Sequence, residues 1–116
     1  MGVSIGEFEQ LLLLAVLRLG DEAYGVAIRR AIEDATGRRV TAGAVYTALG
    51  RLESRGLVVS SPGQTIPERT GMRRRYYRVL PEGARVVART MRQVEVMSRG
   101  LKPEIARLAA EARERD

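Results

Sequence analysis

The chain has 116 residues and a formal charge of +6, from 20 Arg and Lys against 14 Asp and Glu. That length makes one domain around one core, burying roughly two-thirds of the unfolded surface, with an appended helix at most. Cysteine and histidine are both absent, which excludes disulfides, thiolate nucleophiles, imidazole bases and the usual zinc sites by inventory.

The charge is unevenly placed. Residues 1–58 carry seven Arg and seven acids, which cancel, whereas residues 59–82 carry Arg69, Arg73, Arg74, Arg75 and Arg78 against Glu68 and Glu82. The remaining surplus lies in residues 83–116. A local basic excess on a neutral body suits a phosphate-binding surface, because neutralised phosphates release condensed counterions. A solvated basic loop has the same composition. The apolar run at 11–17 is too short to span a bilayer and follows Glu7 and Glu9, not a positive segment, so no membrane role and a cytoplasmic location are expected.

In chain order, Ile5, Phe8, Leu11, Leu12, Ala15, Val16 and Leu19 follow helical spacing, with Ser4 placed to cap and Glu7 three residues on. Leu13, Leu14 and Leu17 lie off this stripe, so the first helix needs cover on two sides, one of them offered to a partner chain. Gly20 and Asp21 end it. A second stripe, Tyr24, Ile28, Ala31, Ile32 and Ala35, opposes Arg29, Arg30, Glu33 and Asp34 and stops at Gly37. Thr41 can cap a third helix with the stripe Val45, Ala48, Leu49 and Leu52, closed by Gly56. The pattern then turns β-rich, from Leu57 to Ser61 and from Met72 to Leu80, around a turn-rich stretch at 62–71. Pro81 opens a last helical segment, where Val87, Met91, Val94, Met97 or Ser98, Leu101, Ile105, Leu108 and Ala112 repeat at three- and four-residue steps. Gly100 and Pro103 should kink or break it.

Three helices, a hairpin and a helix are the order of a winged helix-turn-helix, mainly α with a small β component. The third helix there enters the DNA major groove and the wing touches the neighbouring backbone or minor groove. On the third helix the face opposite the apolar stripe is Gly43, Thr47, Gly50 and Ser54, flanked by Tyr46 and Arg51. Gly50 in mid-helix costs about 1 kcal/mol relative to Ala, and so thin a face lets another surface approach the backbone closely. That surface is DNA or, as the structural alternative, a second helix. On the returning arm of the hairpin, alternation puts Tyr77 and Val79 inward and Arg74, Tyr76 and Arg78 outward, and arginines there can grip phosphates or enter a narrow minor groove. A charged, aggregation-resistant edge strand would look alike.

These residues carry a resemblance to the PadR family of bacterial transcriptional regulators. The matching pieces are the run at 11–17, Tyr24-Gly25-Val26-Ala27-Ile28, Gly43-Ala44-Val45-Tyr46 with Leu49-Gly50-Arg51-Leu52-Glu53, Arg55-Gly56-Leu57-Val58, and Arg75-Tyr76-Tyr77-Arg78-Val79 with Glu82-Gly83. They cover most of 8–83 in order and spacing. The resemblance implies a winged-helix homodimer that represses from an operator of two-fold symmetry, its C-terminal helix crossing onto the partner's domain. It implies a Tyr46 near a phosphate, a basic wing at Arg73, Arg74 and Arg75, and the subfamily with a single C-terminal helix. Leu80 departs from it, standing where the family usually has a capping Thr. With no Trp in the chain, the sandwich of planar ligands between tryptophans that some relatives use is not expected, though room remains for a small-molecule inducer of unspecified kind.

The expected organisation is a winged helix-turn-helix DNA-binding domain at 1–80 and a helical dimerisation segment at 81–116. The candidate DNA contacts are Thr41, Gly43, Tyr46, Thr47, Gly50, Arg51, Arg73, Arg74, Arg75 and Tyr76. The candidate dimer contacts are Leu13, Leu17, Val87, Met91, Val94, Met97, Leu101, Ile105 and Leu108. The partners expected are double-stranded DNA and a second copy of the chain, with no cofactor and no metal. A winged helix that binds another protein instead is the alternative. An enzyme would need Glu7 with Glu9, or Glu33 with Asp34, to act as acid and base, and neighbours so close on a helix do not share a pocket.

Overall fold

The computed structural model describes residues 4–65 and 73–114. Its elements are helices α1 (Glu7–Leu19), α2 (Gly25–Thr36) and α3 (Ala42–Ser54), strands β1 (Val58–Thr65) and β2 (Arg73–Val79), and helices α4 (Pro81–Ser98) and α5 (Lys102–Glu114). A single 3₁₀ turn, Gly20–Glu22, joins α1 to the residues before α2.

Helix α1 starts later than its Ser4 cap predicts. The Glu9 carboxylate reaches back to accept from the Gly6 amide at 3.1 Å, while the Ser4 carbonyl is taken up by the Arg55 guanidinium from beyond α3. Packing then settles the two-sided character of α1. It contacts α2, α3, β2 and α4, and this cover buries Leu12, Leu13, Ala15 and Val16. Leu13, expected on the dimer face, is therefore a core residue with no surface to offer; Leu17 remains 51% exposed.

The turn between α2 and α3 is held at both ends. Gly37 caps α2 in the left-handed region (φ 72°) and donates its amide to the Glu33 carbonyl, a backbone state that a side chain would strain. The Glu33 carboxylate then accepts from the Val40 amide at 3.0 Å, and Thr41 caps α3 by accepting from the Ala44 amide at 3.1 Å. Helix α3 buries the four residues of its apolar stripe, Val45, Ala48, Leu49 and Leu52.

The two strands pair antiparallel, Val58 opposite Val79 and Ser60 opposite Tyr77, with an irregularity between Pro62 and Thr65. Strand β1 runs four residues beyond the predicted Ser61, and the wing tip at 66–72, with Arg69, lies outside the described residues. The hairpin is tied down at its base. The Tyr77 amide donates to the Ala23 carbonyl at 2.8 Å and the Leu80 amide to the Leu57 carbonyl at 2.9 Å. Leu57 and Val58 fill the core beneath.

Helix α4 opens on Pro81 with no side-chain cap from Leu80, and its first turns belong to the same core: Gly83, Val86 and Val87 are buried. Val87, expected in the dimer seam, is thus spent inside its own chain. Beyond it the stripe emerges, and Met91, Val94, Met97, Leu101, Ile105 and Leu108 are all about half or more exposed. The last segment breaks where Gly100 and Pro103 predict, so the single C-terminal helix that the resemblance implies is two. Gly100 adopts φ 79°, which no α-helix tolerates, and Pro103 falls in the first turn of α5, where its missing amide costs nothing. Helix α5 has no buried residue. The radius of gyration is 17.1 Å, well above the ~13 Å of a compact domain this long.

A Cβ on Gly83 would stand 2.2 Å from the Leu57 carbonyl oxygen, at the corner where β1 and α4 meet. Gly83→Ala is accordingly expected to destabilise the fold by about 1–3 kcal/mol, seen as a lower urea midpoint at unchanged slope. An unshifted midpoint would contradict this packing.

Candidate nucleic-acid interface

The outward face of α3 is bare. Gly43, Tyr46, Thr47, Gly50, Arg51 and Ser54 are all exposed, as is Thr41 at the cap, and a Cβ built on Gly43 or on Gly50 would meet nothing within 4 Å. The alternative of a helix packed on this face within the domain is thereby removed. No carboxylate lies in salt-bridge range of Arg51, Arg74 or Arg75 among the described residues, although Arg75 gives two of its nitrogens to the Ser60 hydroxyl.

Tyr46 and the wing converge on the start of α2. The Tyr46 ring and hydroxyl lie over Gly25, where a Cβ would come within 2.3 Å of the hydroxyl oxygen; only glycine admits that approach. On the preceding residue, the Arg74 guanidinium stacks over the Tyr24 ring at 4.2 Å, and Tyr24 meets Tyr76 edge to face at 5.7 Å. An isolated bridge between Tyr24 and Tyr76 extends the hairpin toward α2. Helix α2 has no side-chain cap and no acid in its first turn, so its leading amides keep their donors. A guanidinium, a phenol hydroxyl and a positive helix end in one place are the chemistry of a phosphate contact.

The predicted contacts come from two elements: α3 and its cap supply Thr41 to Arg51, and β2 supplies Arg74 and Arg75, which are exposed. Tyr76 is only half-buried on the sheet, wedged between Tyr24 and Gly63, whose hypothetical Cβ would strike its ring at 2.2 Å. Arg73 heads β2 opposite Thr65, with its side chain outside the described ones. Sequence reading missed Tyr24 and Gly25 as site residues, and gave no role to Glu53 or Ser60. The Glu53 carboxylate accepts from the Ser60 amide at 3.0 Å and hydroxyl at 2.8 Å. These two bonds, chiefly the hydroxyl, hold its pKa below the usual carboxylate value against an opposing desolvation, with Arg75 adding a lesser lowering effect. Tyr24 and Tyr76 are far apart in the chain, and no local motif signals the pair.

The described residues contain no group of His, Cys, Asp and Glu able to hold a metal, and no helix long and apolar enough to cross a membrane. No curated protein sequence matches the chain. Among solved structures it is similar to a PadR family transcriptional regulator from Eggerthella lenta at 30% identity, covering 85% of this chain and 86% of that one with a TM-score of 0.65. It is also similar to a transcriptional regulator from Clostridium thermocellum, at 26% identity over 82% and 89% of the two chains and a TM-score of 0.67. A PadR-like regulator from Bacillus cereus shares the fold at 17% identity, over 84% and 90%, with a TM-score of 0.68. The sequence profile of the transcriptional regulator PadR-like family matches residues 13–89, which run from the middle of α1 to the middle of α4 and hold the α3 face and both wing strands. The chain belongs to the PadR-like family of transcriptional regulators, with their winged-helix fold, and is a regulator and not an enzyme.

Proposed function

We propose that this chain is a homodimeric repressor that binds double-stranded DNA sequence-specifically, on an operator of two-fold symmetry. The observation that carries the reading is the emptiness above Gly43 and Gly50, on a helix whose other face is fixed in the core. Gly50 in the interior of α3 weakens it by about 1 kcal/mol relative to alanine, an expense that internal packing does not explain. A groove wall that must approach the backbone does explain it. Arg74, Tyr46 and the start of α2 then stand ready for the flanking phosphates, and Arg51 sits on the face that turns to the bases.

The proposed division of labour gives residues 1–80 to DNA and 81–116 to dimerisation, the buried first turns of α4 tying the two. Support for a second copy lies in the stripe from Met91 to Leu108, which one chain leaves uncovered on two helices; apolar surface of that extent ordinarily marks an interface. A dimer presents two α3 helices, so an operator with two half-sites follows from symmetry.

Gly50→Leu tests the DNA contact. The variant should lose binding in an electrophoretic shift while its melting temperature holds or rises, since Leu is a better helix former than Gly by several tenths of a kcal/mol. A variant that folds and still binds normally would remove α3 from the groove and favour a winged helix that docks on protein.

Val94→Asp tests the seam. Val94 is 63% exposed in the single chain, so the change leaves the core alone and should yield a folded monomer, because the dimer would bury an unpaired charge. Sedimentation at micromolar concentration that still shows a dimer would place the interface elsewhere.

A further inference from the structure

A carboxylate beside a phosphate-binding surface opposes the very charge that the surface must attract, and Glu53 is such a group, exposed one turn after Gly50 on α3. DNA contact leaves it unexplained. Its bonds supply a reason. Glu53 Oε2 accepts from the amide and the hydroxyl of Ser60 on β1, and the same hydroxyl oxygen accepts from Arg75 on β2, from Nε at 3.2 Å and Nη2 at 2.9 Å. The hydroxyl proton can go only one way here, toward the carboxylate, so the three groups form one directed chain from the wing arginine to the helix acid.

The place of this chain in the fold matters. Toward the body, Val58 and Tyr77 are buried; outward, Ser61 and Pro62 are exposed. Pro62 stands opposite Arg75 and has no amide to give to the ladder, and the register shifts between it and Thr65. Ser60 is where β1 is tied to α3; farther out it is β2 that meets the body, through Tyr76 and Arg74 on Tyr24. Arg75, for its part, commits two of its nitrogens to Ser60.

We propose that Glu53 is a positioning residue for DNA binding, setting the angle between the recognition helix and the wing through Ser60 and Arg75. The inference rests on the DNA-binding reading of α3. A wing held in place loses less freedom on docking, and the gain appears as affinity. Interactions this exposed add little to folding stability.

The test is fluorescence anisotropy with a duplex that the wild-type protein selects from a random-sequence pool, measured on Glu53→Ala, Ser60→Ala and the double variant. Each single change should weaken binding by about tenfold, the worth of one pre-ordered group. The double should be no weaker than either single, because the groups act as a unit. Ser60→Thr keeps the hydroxyl and should restore affinity, and the salt dependence should not change, since no phosphate contact is lost. Melting temperatures should stay near the wild-type value. Glu53→Ala binding as tightly as wild type, or more tightly, would overturn the proposal, as that is the behaviour of an acid that merely repels DNA. Additive losses in the double variant, or early melting of the single variants, would overturn it as well. Failure of the wild-type chain to select any duplex is a separate outcome, and it removes the DNA reading itself.

Discussion

Val45, Ala48, Leu49 and Leu52 hold α3 to the core from one side only, and the rest of the molecule follows from that constraint. Full burial of a Leu or Val is worth about 1.5–3 kcal/mol, and α3 buries three such side chains and an alanine. That outweighs the loss of helix propensity at Gly50, about 1 kcal/mol. Tertiary packing, not propensity, makes this segment a helix. Because none of the described elements covers the opposite face, its thinness is free to serve a surface outside the chain. The neighbours are arranged to keep α3 in place: Glu33 ties the turn before it through Val40, and Gly56, at φ 75°, turns the chain into the buried Leu57 after it.

The elements whose burial is one-sided could be read from sequence, and those with two candidate partners could not. The stripes of α2 and α3, the Thr41 cap, the Gly37 stop and the alternation at Tyr77 and Val79 each have a single periodic solution. Helix α1 does not, because it is apolar nearly all round; periodicity cannot say which of Leu13 and Leu17 meets its own chain, and packing buries Leu13 and leaves Leu17 exposed. Val87 shows the same ambiguity along α4. Its spacing continues unbroken into Met91 and Val94, yet the helix leaves the core between them. Cross-chain polar contacts were invisible for a different reason. Glu53 with Ser60, and Tyr24 with Tyr76, depend on where a strand lies against a helix, which no local spacing encodes.

Two surfaces emerge, at separate parts of the fold. One gathers α3, the wing strand and the start of α2, where Tyr46 and Arg74 meet on Gly25 and Tyr24. The other is the apolar stripe on α4 and α5, extended beyond the core and broken at Gly100. Helix α5 buries nothing in its own chain, while Arg107 bridges Glu104 and Glu111 along its polar side. Charge on one side and isoleucine, leucine and alanine on the other suit a helix that finds its cover in an assembly. Through α4, whose first turns share the core with α3, the assembly would fix the spacing between two recognition helices.

Backbone amide shifts on titration with a selected duplex test the central claim most directly, because glycine amides on α3 report contact without any substitution. Gly43, Thr47 and Gly50 should show the largest changes, joined by Gly25 at the start of α2, and should return toward their free positions as salt is raised. Saturated binding that leaves Gly43 and Gly50 unmoved, with the changes confined to α4 and α5, would contradict the account.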